Sequence, residues 1–318
     1  MNSKNSKQPN NESKANTKSA SLEDTANLAG HQVNRIGFGA MQLPGPGVMG
    51  PPSDHDAALT VLQQAIEMGV NHIDTAQIYG PDVSNELIRE ALHPYPDDLV
   101  LVSKVGVERD EEGGWVPAPQ PEKLRTGVED NLRSLKVEQI DVVNLRVVDV
   151  QSDGTPIPED QRVSLDDQLA EMIDLRDEGK IGDIGISNVT LSELRQAVPA
   201  DIVCVQNAYS LLNRADEPLL ELCEEHDVAW VPFFPLGSAG FPGIDQVYKQ
   251  PEVKKVASKM DVTPAQVGLA WLLGHSPNIL LIPGTSNPDH LAENMAVADV
   301  ALDQKTMERL NELAKQPS

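Results

Sequence analysis

Eight short apolar runs, each followed by a stretch with helical periodicity or a helical loop, constrain this chain more than any other feature. The runs are Arg35–Met41, Val70–Asp74, Leu99–Val105, Ile140–Val147, Ile181–Ser187, Ile202–Gln206, Val228–Phe233 and Ile279–Pro283. Most are rich in Val and Ile and do not alternate with polar residues, which is how strands buried on both faces of a parallel sheet read. Parallel neighbours need a crossover between them, usually a helix. Ser53 is the expected cap of a helix through Leu59, Leu62 and Ile66 that Gly69 stops. Ser164 caps the next clear pattern, with Leu165, Leu169 and Met172 on one face and Gly179 at its end. Thr263-Pro264-Ala265-Gln266 combines a cap, a Pro at the first helical position and a Gln three residues on, ahead of Trp271 and Leu272. Asp303 opens a last helix through Met307 and Leu310. Eight such units predict an α/β fold, a single (β/α)8 TIM barrel. The segment Leu28–Ile36 is expected to form a small hairpin plugging the barrel bottom.

Composition narrows the setting. The 318 residues carry 49 Asp and Glu against 25 Lys and Arg, a formal net charge of −24. Phosphate backbones repel such a protein unless it segregates a basic face, and no such cluster is visible, so no nucleic-acid partner is expected. No apolar run reaches the roughly 18 residues of a membrane span. Two cysteines, Cys204 and Cys223, make no disulfide framework and point to a reducing compartment. Residues 1–22 are Ser, Asn and Lys with almost no apolar content. They cannot offset their ordering entropy and are expected to be a disordered polar tail, without the apolar region of a secretory signal. The expectation is a cytoplasmic protein with one domain over residues 23–318.

In barrels of this kind chemistry sits at the C-terminal ends of the strands, and here those ends are polar. The second run ends in Asp74, with Tyr79 in the loop behind it. The third ends near Lys104, the fourth carries Arg146, the fifth ends in Ser187-Asn188 and the sixth in Gln206. The seventh ends in Phe233-Phe234 and the eighth opens into Gly284-Thr285-Ser286. Each residue alone has an ordinary structural explanation, a surface Lys or a packed Tyr. Four ionisable groups converging on one mouth point to a site.

These residues resemble the aldo-keto reductase family over about residues 30–315. The resemblance is carried by Val-Asn-His-Ile-Asp74-Thr-Ala-Gln-Ile-Tyr79-Gly, Leu-Val-Ser-Lys104, Ile184-Gly-Ile-Ser-Asn188, Val205-Gln206-Asn207 and Ile282-Pro-Gly-Thr-Ser286 with Glu293-Asn294. The wider pattern, with Leu-His-Pro-Tyr-Pro and Asp-Val-Val-Asn-Leu-Arg146, is most similar to the branch with bacterial pyridoxal reductases. The resemblance implies hydride transfer from a nicotinamide cofactor to a carbonyl carbon, with Tyr79 as proton donor. A free phenol has pKa ~10, and a neighbouring ammonium, here Lys104, favours its ionised form. Asp74 would hold that ammonium. The family usually carries a His where Arg146 stands. Arg also donates a hydrogen bond and can stabilise a developing oxyanion or bind an anionic substrate group.

The same resemblance assigns a cofactor site. Ser187, Asn188 and Gln206 match the trio that hydrogen-bonds the nicotinamide carboxamide, and Phe233 matches the aromatic that stacks on the ring. Phe234, Leu236, Gly237 and Ser238 belong to the loop whose amides meet the pyrophosphate. Gly284, Thr285 and Ser286 lead into a helix N-terminus that favours phosphate. Glu293 and Asn294 match adenine contacts. His290 stands where many relatives place an Arg on the 2′-phosphate, so NADPH is the expected cofactor with NADH not excluded. Gly39, Ala40 and Met41 are read as a close backbone approach to the cofactor, because Gly37-Phe38-Gly39 is followed by Gln42 and is no dinucleotide-binding fingerprint.

No metal site is expected, since the seven His show no ligand spacing. Trp115 is a candidate for the substrate pocket within the long Gly- and Pro-rich loops Gly45–Pro52, Glu108–Pro121 and Val148–Pro158. Two other classes compete: a cofactor-binding regulatory or interaction protein, as in the similar potassium-channel β subunits, and a non-redox barrel enzyme. The expected partner is a small-molecule carbonyl substrate, and no oligomeric state can be read from the sequence.

Overall fold

The computed structural model describes residues 25–150, 154–238 and 245–315. The expected tail at 1–22 lies outside them, as does the middle of the 148–158 loop. The chain opens with an antiparallel pair, β1 (Thr25–Leu28) and β2 (His31–Asn34), joined through Ala29 and Gly30. Both of these turn residues have positive φ, 54° and 78°, as a two-residue hairpin turn that matches strand twist demands. The pair begins at Thr25 and so lies a little earlier than the sequence pattern indicates.

The main sheet consists of β3 (Phe38–Gly39), β4 (His72–Asp74), β5 (Val100–Val105), β8 (Ile140–Arg146), β9 (Ile181–Ser187), β10 (Ile202–Gln206) and β11 (Ala229–Trp230). A small antiparallel hairpin, β6 (Val107–Arg109) and β7 (Trp115–Pro117), interrupts the series after β5. The seven strands are parallel and neighbours in chain order, β3 to β11. Helices α1 (His55–Glu67), α2 (Val83–Leu92), α3 (Pro121–Leu135), α4 (Leu165–Asp177), α5 (Leu191–Ala197) and α6 (Glu217–Glu225) make the crossovers. Then follow α7 (Pro251–Met260), α8 (Pro264–His275), α9 (Pro288–Met295) and α10 (Gln304–Asn311).

The eighth expected run forms no ladder long enough to count as a strand. Its backbone still bridges both sheet edges. On one side Leu280 N–H donates to the Trp230 carbonyl at 2.9 Å and Trp230 N–H to that of Asn278 at 2.8 Å. On the other, Gly37 N–H donates to the Leu281 carbonyl and Leu281 N–H to that of Arg35, both at 2.8 Å. The seventh run is shorter than its apolar stretch because Pro232 has no N–H to continue the ladder. The first is shorter because Ala40–Gln42 turns as a 3-10 segment.

Side-chain alternation along the strands sorts the core into two shells. Ile73, Leu101, Val143, Leu145, Ile184, Ile186, Val205 and Trp230 pack outward with the helices. Val100, Val102, Val142, Cys204, Ala229, Val231 and Leu280 form a second, interior cluster that includes Leu28 and Val33 of the hairpin. Both faces are apolar, which is why the runs looked continuous in sequence. Helix caps follow the sequence at Ser164, Thr263 and Asp303, the second as a reciprocal Thr263–Gln266 box. The first helix is different: Asp54, not Ser53, accepts from Ala57 N–H at 2.9 Å. Asp and Ser serve equally well as caps, so the one-residue choice fell to the tertiary path of the loop.

His72 sits in the interior below Asp74, fully buried, with no hydrogen-bond partner for either ring nitrogen. Burial pushes its pKa down to about 4, opposed more weakly by the Asp74 carboxylate. The sign of the linkage follows. Below its ordinary pKa near 6.5 the unfolded chain binds a proton that the native state refuses until about pH 4. Native stability therefore falls across that window, by roughly 3 kcal/mol in total. The midpoint of urea unfolding, followed between pH 7 and 4, is expected to drop more steeply for the wild type than for His72→Gln. Equal slopes would show that carboxylates alone carry the acid sensitivity.

Candidate active site

The chemistry-bearing side chains on the strands are aimed inward by strand alternation. Register pairs Gly39 with Asp74, Lys104 with Asn144, Arg146 with Ser187, and Ser187 with Gln206. Val100 and Val102 point into the interior, so Lys104 does too; Val142 sets Arg146 and Cys204 sets Gln206 in the same way. Polar residues thus begin where the apolar interior ends, on the C-terminal side of the sheet. A cavity of about 660 Å³ opens there, a volume ordinary for a small-molecule site.

Lys104 and Asp74 form a buried ion pair at its floor, 7% and 4% exposed. The ammonium also donates to the Thr75 carbonyl at 2.9 Å. The second Asp74 oxygen accepts from Gln206 Nε2 at 2.7 Å. Removed from water, a lone ammonium or carboxylate here would be costly, and the pair persists because each partner also has a further hydrogen bond. The Lys104 ammonium lies 5.2 Å from the centroid of the Tyr79 ring. Tyr79 is 4% exposed and packs in a satellite apolar cluster with Ala76, Ile78 and Val107, against Met41, Val48, Trp115 and Val148.

Behind this floor runs a polar network that the sequence pattern did not disclose. Thr75 Oγ1 donates to Asn85 Oδ1 at 2.8 Å. Asn85 Nδ2 donates to Asn131 Oδ1 and Ser134 Oγ, both at 2.9 Å, and Ser103 Oγ donates to Asn131 Oδ1 at 2.6 Å. These fully satisfied groups tie β4 and β5 to α2 and α3, holding Thr75 where its carbonyl can grip Lys104. Buried Asn and Ser on helix faces that read as amphipathic were the available signal.

The cavity wall brings together Gly39, Met41, Asp74, Tyr79, Lys104, Arg146, Ser187, Gln206, Phe233, Phe234, Leu236, Gly237, Gly284 and Asn294. Trp115 also lines it, as do Gln42, Gly114, Pro232, Pro235, Ile282 and Pro283, six residues that the sequence does not single out by themselves as site residues. Those six carry no distinctive chemistry, so only the fold could place them.

Seven expected site residues are not on the wall. Ala40 is fully buried, its carbonyl accepting from Ser84 Oγ at 3.0 Å. Asn188 is exposed at φ 61° and its side-chain amide donates to the Val147 carbonyl at 2.8 Å, so it holds a loop. Ser238 lies beyond the wall residue Gly237. Thr285 Oγ1 accepts from Asn287 N–H at 3.0 Å, and Ser286, His290 and Glu293 are exposed. The Asn287 side chain caps α9 by accepting from Asp289 and His290 N–H, which fills part of the anion-binding capacity expected of that helix end. The glycines also have another purpose. A Cβ on Gly39 would lie 2.5 Å from the Ile282 carbonyl oxygen, and one on Gly284 2.4 Å from that of Gly39. Backbone meeting backbone explains both, without a ligand.

One buried atom points to what the cavity holds. Gln206 Oε1 has no hydrogen-bond partner although its amide nitrogen donates to Asp74. An orphaned buried acceptor costs roughly 1–3 kcal/mol unless a donor arrives. A ligand amide N–H fits that requirement. Among the described residues no cluster of three His, Cys, Asp or Glu could hold a metal ion, and no helix is long and apolar enough to cross a membrane.

Comparison with known proteins bears on the same site. The model of the aldo/keto reductase family matches residues 35–315. The chain is 45% identical over 294 residues to pyridoxine 4-dehydrogenase of Escherichia coli, covering 92% of this chain and 99% of that protein. It is 36% identical over 297 residues to an uncharacterized oxidoreductase of Schizosaccharomyces pombe, covering 93% and 92%. Among solved structures, the aldo-keto reductase of Klebsiella pneumoniae in complex with NADPH superposes with a TM-score of 0.75 at 24% identity, covering 92% and 96%. It shares the fold.

Proposed function

The chain belongs to the aldo/keto reductase family and is an oxidoreductase, and we propose that it uses NADPH to reduce an aldehyde, with pyridoxal as the leading substrate. The substrate reading rests on the pyridoxine 4-dehydrogenase relative, and the cofactor reading on the NADPH-bound neighbour together with the orphaned Gln206 acceptor. The architecture behind it is one domain, an eight-unit barrel whose last strand is the 279–283 segment and whose bottom is covered by the β1–β2 hairpin. The edge-bridging hydrogen bonds and the place of Leu28 and Val33 in the interior cluster support that reading. The protein is read as cytoplasmic.

The observation that carries the function is Lys104, held by Asp74 and the Thr75 carbonyl under the Tyr79 ring at the cavity floor. When bound, the nicotinamide supplies the hydride for the carbonyl carbon. Tyr79 then gives its phenolic proton to the carbonyl oxygen as charge develops there. The phenolate left behind is stabilised by the adjacent Lys104 ammonium. Arg146, on the same wall, donates to that oxygen. Gln206 Oε1 and the Ser187 hydroxyl would hold the carboxamide, and Phe233 would carry the nicotinamide ring. The test follows the loss of reduced-nicotinamide absorbance with NADPH or NADH and a carbonyl panel that includes pyridoxal. Turnover best with pyridoxal and NADPH is expected. Tight NADPH binding with no turnover of any carbonyl would overturn the reading.

Arg146 brings a prediction of its own. A guanidinium stays charged throughout the working range, so the pH profile of kcat is expected to lack a limb near ~6.5. Arg146→His should introduce one. A wild-type profile that already bends there would mean another group titrates in the catalytic step.

A further inference from the structure

Arg109 and Trp115 face each other directly across the β6–β7 ladder. The Arg109 guanidinium lies 4.4 Å from the Trp115 ring centroid, and that of Arg146 lies 5.4 Å from the same ring. Trp115 in turn lies 6.2 Å from Tyr79, centroid to centroid. Arg109 also spends every nitrogen on a different loop. Its Nε donates to the Ile78 carbonyl at 3.2 Å, in the loop that carries Tyr79. Its Nη1 donates to the Gly113 carbonyl at 2.6 Å, in the turn between β6 and β7. Its Nη2 donates to the Val48 carbonyl at 2.9 Å, in the loop after β3. The Val48 carbonyl also accepts from Gly80 N–H at 3.1 Å, so the three loops share one knot.

Three loops from different parts of the chain meet on one planar cation. A guanidinium suits this because its donors lie in a fixed fork. Ion pairing is not its task, since no salt bridge to Arg109 occurs among the described residues. We propose that Arg109 is a positioning residue that shapes the substrate end of the cavity by clamping Trp115 beside Tyr79. The proposal rests on the reductase reading given above. Arg109 holds Trp115 both by cross-strand pairing and by its guanidinium against the indole, and Arg146 adjoins the same ring at the wall. The carbonyl substrate therefore meets a rigid wall, and binding spends no energy ordering it. Gly39, Gln206 and Phe233 lie on other elements and none hydrogen-bonds to Arg109, so the cofactor end should be little affected by this clamp.

The experiment compares wild type, Arg109→Met, Arg109→Lys, Trp115→Ala and the Arg109→Met/Trp115→Ala double variant. It reads kcat and KM for the best carbonyl, NADPH affinity and thermal midpoint. Wild-type turnover tests the reductase reading; the ratios between variants test the clamp. Arg109→Met is expected to lower kcat/KM about 10- to 100-fold, mostly through KM, with NADPH affinity within about two-fold of wild type. Arg109→Lys should fail to restore it, because one ammonium cannot span three carbonyls. The double variant should be no worse than Trp115→Ala alone, since the first residue acts through the second. Wild-type kinetics in Arg109→Met, rescue by Lys, or additive losses in the double variant would each overturn the proposal.

Discussion

Tyr79→Phe is expected to lower kcat by about 10²–10⁴-fold, the range that a positioned general acid contributes, while leaving the fold and NADPH affinity intact. The ring packs among Ala76, Ile78, Val107 and Trp115, and Phe preserves that packing. Among the described residues no group hydrogen-bonds to the Tyr79 hydroxyl, so its removal strands no buried partner. The loss should therefore appear in the chemical step and not in stability. Steady-state kinetics with matched thermal unfolding of both proteins decides the matter. A Phe variant that turns over within about three-fold of wild type would remove Tyr79 from the proton transfer.

Lys104→Met is expected to act on both stability and rate. It leaves the Asp74 carboxylate buried with only Gln206 as partner. Breaking a buried pair by removing one member costs roughly 3–5 kcal/mol. On the proposed mechanism it also removes the cation that stabilises the Tyr79 phenolate, which should lower kcat by about 10²-fold or more. The Asp74→Asn/Lys104→Met double variant separates the two effects. With both charges gone, most of the stability should return, because no uncompensated ion remains. The rate should not return, because the ammonium beside Tyr79 is still missing. Urea unfolding and single-turnover kinetics on the three proteins give the comparison. A double variant that recovered turnover along with stability would reduce the ion pair to a strut between β4 and β5.

Much of this site was legible before the fold. Asp74, Tyr79, Lys104, Arg146, Ser187, Gln206 and Phe233 stand at or just behind strand ends, where barrels place their chemistry, and all seven line the cavity. Other parts of the reading fared differently for physical reasons. Asn188 adjoins Ser187 in sequence, but neighbours at a strand end point in opposite directions, and Asn188 turns to the Val147 carbonyl. In sequence, Gly39 reads as a close backbone approach to the cofactor, and Gly284 as the lead into a phosphate-favouring helix end. They are small because two backbones touch there. Thr285 and Asn287 satisfy donors at the start of α9 that would otherwise be open to an anion.

The long loops were the least legible. Trp115 could have been an exposed loop residue on sequence alone. Its place depends on β6 pairing with β7, and on Arg109 finding carbonyls at positions 48, 78 and 113. Those carbonyls carry no side-chain signature, so no pattern of residues announces them. The buried Thr75–Asn85–Asn131–Ser103 network was hidden for a similar reason. Its members are common polar residues whose meaning lies in who faces whom.

The sequence by itself determined the repeating strand–helix order, most of the helix caps and the identity of the groups that converge at the strand ends. These are local matters: apolar periodicity, capping chemistry and the two-residue alternation of strands act over a few residues. Only the tertiary structure decided which of those groups share a cavity, which glycines serve backbone contact, and which cation ties the loops together. These depend on register and on carbonyls brought together from distant parts of the chain, and a linear pattern does not encode either until the strands have paired.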